Sequence, residues 1–342
     1  MPFTRRAATA LLLSAFAIPA IAKSATAAVK VPTRGLALPD WLAATPREPA
    51  LAVLAQLRSA GFETIRLPID PALATADFAP RVAEVLAAVT AAGFNAILDL
   101  HPGGDVDPDR VDAAWAILAG VVASTPTDRV YAELLNEPGL DAGPWRDLAQ
   151  RLTATIRASA PDHTLIWGPA QVQGIWELAD QAPPPDANLV AAVHYYTPMG
   201  FTHQAETWDD SPLARLHDLP WPTTRNAPLV TALAASLDPA DRRFLDGEFK
   251  GLWTAAHIDR DFADLAQWSS HQRIPVMLGE FGVLDFAVDS VSRANWVRAV
   301  RRAAEANGAG WVYWEADQGF GFMPDRTRAG SVDRPMLEAL LA

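Results

Sequence analysis

The chain has 342 residues, half of them apolar, with no cysteine, seven histidines and a formal net charge of -12. Disulfides and thiolate metal sites are excluded. The scattered histidines show no ligand spacing that would mark a structural zinc. The acidic balance argues against nucleic acid or anionic membrane surfaces as partners and leaves a neutral polysaccharide open.

The first residues read as a targeting segment. Thr4-Arg5-Arg6 precedes an apolar run from Ala7 to Ile21, and Ala25-Thr26-Ala27 offers a small-residue cleavage site. We expect residues 1–27 to be an export signal, of twin-arginine or Sec type, and the mature protein to be periplasmic or secreted. No later run reaches the roughly 18 apolar residues of a spanning helix, so membrane insertion of the mature chain is not expected.

Thr33–Leu38 is the first expected strand. A helical pattern of Leu51, Leu54 and Leu57 over 47–60 closes at Gly61. Phe62–Pro68 follows as strand two, 79–92 as a helix closed by Gly93, and Asn95–Pro102 as strand three. The order helix, Ala-Gly-Phe, strand occurs at 60–62 and again at 92–94, so the βα unit is written twice. A helix over 108–123 leads to strand four at 130–138, and a helix over 145–159 to strand five at 163–168. After a short helix over 174–180, Leu189–Tyr196 is strand six. About 55 residues then separate this strand from a helix near 254–269. They are rich in Trp, Asp and Pro, with one helix expected at 227–236. Strand seven is 275–280, a last long helix covers 293–307, and 310–314 is strand eight. Eight strands with interleaved helices predict one (β/α)8 TIM barrel over 28–342, a single domain. Residues 199–253 form a long insertion on its active-site face.

Two strands end in carboxylates. Val130–Leu135 is apolar but for Glu133 and gives way to Asn136-Glu137-Pro138, where Pro138 lacks the N–H needed to continue. Pro275–Gly279 is apolar and ends at Glu280. Barrel rims at the strand ends are where chemistry is done. Two carboxylates converging there supply what acid–base cleavage of a glycosidic bond needs.

Arg66 in Arg-Leu-Pro, His101 after Leu-Asp-Leu, Asn136-Glu137-Pro138, His194-Tyr195-Tyr196, Gly279-Glu280-Phe281-Gly282 and Trp314 together resemble the ordered rim of glycoside hydrolase family 5. These are the cellulase-like retaining (β/α)8 enzymes. The likeness runs through nearly the whole mature chain. It implies that Glu137 is the general acid and then the base, with a raised pKa. Glu280 would be the nucleophile, with the carboxyl groups roughly 5–5.5 Å apart. Arg66 would hold Glu280 anionic, or form a buried ion pair with Asp99 or another strand-end acid. Asn136 would bond the sugar 2-hydroxyl, His194 would sit beside the acid/base and Tyr196 against the nucleophile. Period-two geometry turns Tyr195 the other way, toward packing.

Trp314 would be a platform under the sugar, and His101 would touch its hydroxyls. His203, Gln204 and Trp208 are candidates for distal subsites, with loop packing the alternative. Asp317 is a further rim acid, a candidate for hydroxyl recognition or for an arginine partner. No nucleotide fingerprint or Gly-x-Ser-x-Gly elbow occurs, and neither cofactor nor metal is expected. The expected activity is hydrolysis of a β-linked glucan, endo-β-1,4 first. The same mechanism on a β-1,3-glucan, a mannan or a bacterial exopolysaccharide, exo-acting or transglycosylating, stays open. So does a non-catalytic glycan-binding barrel.

Overall fold

The computed structural model describes residues 29–249 and 253–342; the expected export segment lies outside them. The strands are β1 (Gly35–Ala37), β2 (Thr64–Ile69), β3 (Asn95–Leu100), β4 (Val130–Glu133), β5 (Leu165–Trp167), β6 (Leu189–His194), β7 (Val276–Glu280) and β8 (Gly310–Tyr313). They close in sequence order into one barrel, and β8 pairs parallel with β1. Helices α1 (Leu51–Ala60), α2 (Ala79–Ala91), α3 (Pro108–Ala123) and α4 (Ala142–Ser159) follow the first four strands. The link after β5 holds only a 3-10 turn, Trp176–Leu178. Between β6 and β7 lie α5 (Met199–Thr202), α6 (Pro228–Ser236), α7 (Pro239–Glu248) and α8 (Ala255–Gln272). Helices α9 (Ser290–Ala306) and α10 (Arg334–Leu341) complete the ring. Among the described residues no helix is long and apolar enough to cross a membrane.

Local chemistry explains the punctuation. Gly61 and Gly93 take φ of 117° and 88°, the left-handed turn that ends a helix and that side chains resist. Asp107 caps α3 by accepting from the amides of Asp109 and Arg110, with proline as the first helical residue. Two expectations need correction. Strand β4 stops at Glu133 rather than running to Pro138, and α7 and α10 were not foreseen.

The strands bury two faces. Outward residues join the large core under the helices. Inward residues Ala37, Ile97, Tyr131, Ile166, Val190, Ala192, Met277 and Val312 fill the barrel, and Trp314 packs partly buried against them. A side-chain period of two then puts Asp99 above Ile97, Glu133 above Tyr131 and His194 above Ala192. The barrel core thus changes from apolar to charged toward its C-terminal mouth. One irregularity sharpens this edge. The β6–β7 register shifts at Val193/His194, so that His194 pairs with Glu280; such a bulge re-aims side chains next to it.

Candidate active site

At that mouth lies a cleft of about 510 Å³, lined among others by His101, Asn136, Glu137, Tyr196, His203, Trp208, Glu280 and Trp314. Its floor is built on Arg66, which is wholly buried on β2. The Nε and Nη2 of Arg66 donate to the two oxygens of Glu133 at 2.7 and 3.0 Å. Nη2 also lies 2.9 Å from Asp99 Oδ2 and donates to Asn136 Oδ1 at 2.9 Å, while Nη1 donates to Glu280 Oε1. One guanidinium therefore organises three buried carboxylates, a task for which its planar fork suits arginine. Arg66 thus contacts Glu280 and pairs with Asp99 at once. Glu133, which the sequence reading passed over, takes the bidentate contact. Burial raises the Glu133 carboxyl against the lowering pull of Arg66.

Glu280 ends β7 almost fully buried, and its second oxygen accepts from the Tyr196 hydroxyl at 3.0 Å. Burial, then the charges of Glu280 and Glu137, raises the Tyr196 phenol, keeping it a donor. Glu137 stands in a different setting. It is one step into the loop beyond Asn136, with a left-handed φ of 36°, and its side chain is 37% exposed against 6% for Glu280. Its Oε1 lies 2.9 Å from His194 Nδ1. Oxygens of Glu137 and Glu280 and a nitrogen of His194 all fall within 4.8 Å of one another. These three are also the side chains among the described residues whose donor atoms cluster tightly enough to hold a cation.

The electrostatics correct one expectation. Burial pushes the Glu137 carboxyl up, but the hydrogen bond and charge of His194, with His101 and Arg66, outweigh it and hold the group below its usual value. His194 is the mirror image. Burial lowers it, and the charges of Glu280 and Glu137 raise it overall. The two shifts run in opposite directions, away from a protonated Glu137 and toward a protonated His194. His101 is raised as well, the Asp99 carboxylate overcoming burial. Its Nδ1 lies 2.8 Å from Asp99, its Nε2 3.2 Å from Asn136 Nδ2, and its ring stacks on Trp314 at 5.4 Å.

The outer wall comes from the insertion and from the segment after β8. His203 is buried against Tyr196 and Phe320, and Trp208 stands edge-on to it, 58% exposed. Two candidates fall away. Gln204 is fully buried; its amide nitrogen donates to the carbonyls of Phe201 and Leu219, and its oxygen accepts from the Leu219 amide, so it ties the loop and has nothing left for a sugar. The Asp317 carboxylate is buried against Arg326 and takes a second bond, 2.8 Å, from Arg47. It is an arginine partner, not a sugar ligand. Tyr195 points away from the cleft and donates to Asp261 at 2.7 Å, as its parity requires. Glu315, Gln318, Phe320 and Phe286 also line the cleft and were not singled out from sequence. Burial, then Asp317, pushes the Glu315 carboxyl up to about 7.

Residues 24–319 match the sequence profile of Cellulase (glycosyl hydrolase family 5). Among curated proteins the chain is similar to Endoglucanase 3 of Fibrobacter succinogenes, 27% identical over 58% of this chain and 31% of that protein. It is also similar to Cellodextrinase A of Ruminococcus flavefaciens, 22% identical over 74% of each. The chain thus spans about a third of the length of Endoglucanase 3. A solved structure of Thermotoga maritima Cel5A with cellobiose superposes with a TM-score of 0.75 at 25% identity, covering 92% of this chain and 98% of that one.

Proposed function

The chain belongs to glycosyl hydrolase family 5, and from that premise we propose that it is a retaining β-glycosidase, an endo-β-1,4-glucanase, with Glu280 as nucleophile and Glu137 as acid/base. One observation carries the reading. Two carboxylates come within 4.8 Å, close to the roughly 5–5.5 Å separation of retaining enzymes, yet one is enclosed by Arg66 and Tyr196 and the other is more than a third exposed and bonded to His194. The name of Endoglucanase 3 and the cellobiose in the Thermotoga maritima structure support a β-linked glucan as substrate.

In the first step the Glu280 carboxylate attacks the anomeric carbon as the bond to the glycosidic oxygen breaks, and that oxygen takes a proton from Glu137 and leaves as an alcohol. Arg66 and Tyr196 fix the attacking group. Sugar entering the cleft expels water, and a dry site favours neutral partners over an ion pair. The proton resting on His194 then passes along the 2.9 Å contact to Glu137, where it is needed. In the second step Glu137 takes a proton from water, whose oxygen attacks the same carbon and frees the Glu280 carboxylate. On this reading Asn136 and His101 bond the 2-hydroxyl and its neighbours. Trp314 offers its face to the ring, and His203 and Trp208 extend the wall. We further propose that residues 1–27 export the protein to meet its substrate, that 199–253 shapes the cleft wall, and that nucleic acid, nucleotides and membrane insertion play no part.

Product analysis on carboxymethyl-cellulose, mixed-linkage glucan, laminarin and glucomannan tests this. Rapid viscosity loss on the β-1,4 substrates, absent in Glu280→Gln, is expected. Release of only mono- or disaccharides from chain ends, or activity confined to laminarin or mannan, would overturn the substrate and leave the mechanism. Inertness on the whole panel would turn the reading toward an exopolysaccharide or a binding protein.

A further inference from the structure

Glu137 has no strand to hold it. It lies beyond β4 in a left-handed conformation that persists only where its surroundings over-determine it. The loop after β5 supplies the restraint. The side-chain oxygen of Gln173 accepts the backbone N–H of Glu137 at 2.9 Å, and the backbone carbonyl of Gln173 accepts the N–H of His194 at 2.8 Å. Gln173 thus grips both members of the proton-holding pair, although it touches no cleft surface and is itself completely buried. Gln171, two residues earlier, accepts from the Gly139 amide through its carbonyl at 3.1 Å and donates from its side chain to the Leu140 carbonyl at 3.0 Å.

Three features say that this grip is costly to build. Gln173 is itself left-handed, with φ of 60°. Its amide nitrogen is buried without a partner, which a folded chain normally avoids. The side chain also fits only because residue 168 is glycine: a Cβ there would fall 2.1 Å from Gln173 Cγ. An apolar side chain of similar volume would relieve the orphaned nitrogen, so packing does not explain a glutamine here. Its acceptor oxygen does.

We propose that Gln173 is a positioning residue for the acid/base, fixing the Glu137 loop to β6 so that the Glu137 carboxyl, the His194 ring and the glycosidic oxygen stay in line. This rests on the reading of Glu137 as acid/base, and the test separates the two. Proton donation matters most when the leaving group is a poor one and little when it is a strongly acidic phenol. The measurement is kcat/KM on aryl β-glycosides of the disaccharide that the native enzyme releases, from phenyl to dinitrophenyl.

Gln173→Met should lose roughly 100-fold on the phenyl glycoside, the cost of a misplaced catalytic group, and no more than about threefold on the dinitrophenyl glycoside. Circular dichroism and Tm should stay near native. Gly168→Ala, which drives the same side chain from its seat, should give the same steepened dependence and covers the case in which the methionine variant fails to fold. Glu137→Gln, run in parallel, should show the steepest dependence of all. Equal losses across the series in the Gln173 and Gly168 variants, with Glu137→Gln steep, would overturn the positioning role alone. A flat Glu137→Gln series would overturn the reading of Glu137 and this inference with it.

Discussion

The two halves of the proposed catalytic pair are held in opposite ways. Glu280 is the last residue of a strand, nearly enclosed, its oxygens taken by Arg66 and Tyr196. Glu137 sits in a loop, more than a third exposed, bonded through one oxygen to a histidine whose own proton affinity is raised. A nucleophile must keep one charge state and one position. An acid/base must gain and lose a proton in every turnover. On the proposed roles, a fixed cation on β2 serves the first need and a titratable partner on β6 the second.

Removing the fixed half should have the largest effect. Glu280→Gln keeps the shape and loses the attacking charge, and hydrolysis of the best panel substrate should fall by about 10⁴-fold or more with the circular dichroism spectrum unchanged. Arg66→Met tests whether the floor is structural as well as catalytic. It leaves Asp99, Glu133 and Glu280 facing one another without their cation. Breaking a buried network in this way costs about 3–5 kcal/mol, to be read as a lowered urea midpoint at neutral pH. A midpoint equal to the native one would mean that the three carboxylates hold protons instead of charges.

The titrating half should respond in its pH profile. In the free enzyme the shared proton leaves at the raised value of His194, so the alkaline limb of kcat/KM lies above the ordinary 6.5. His194→Gln removes that store and moves the limb to lower pH, toward the carboxyl of Glu137. The same linkage acts on stability. The contribution of His194 is full below its unfolded value of 6.5 and is lost as pH rises through its raised folded value. Glu137, lowered by the pair, contributes above its ordinary 4.5 and ceases to do so as pH falls through its folded value. An alkaline limb that stays in place in His194→Gln would sink the account of a proton stored on the histidine.

The barrel was legible because its signals are local. Ala-Gly-Phe at 60–62 and 92–94 marks the helix-to-strand turns, and the apolar runs end where chemistry begins. The proton balance was not legible, because it depends on the 2.9 Å contact between β6 and a loop 57 residues earlier. Gln204 and Asp317 stayed open between two readings for a related reason. A polar residue beside a rim looks the same in sequence whether it faces a sugar or, like Asp317, a buried Arg326 nine residues on. Glu133 could have been found, since a lone acid in a buried strand needs a cation, and Arg66 was already in view. Helix α7 also carried its signal in Asp238-Pro239, a capping residue followed by proline; its polar composition hid the rest.

The smallest effect should come from the outer wall, where side chains touch substrate without touching the chemistry. Trp208 lies on the insertion, 58% exposed, its ring edge-on to His203 at 5.8 Å. Trp208→Ala should leave kcat unchanged and raise KM on long β-1,4 chains by roughly three- to tenfold, in line with one lost aromatic contact. A disaccharide aryl glycoside short enough to end before the wall should be cleaved as by the native enzyme. Equal loss on long and short substrates would place Trp208 over the reacting sugar instead, and the division of the cleft into a charged floor and an aromatic wall would have to be redrawn.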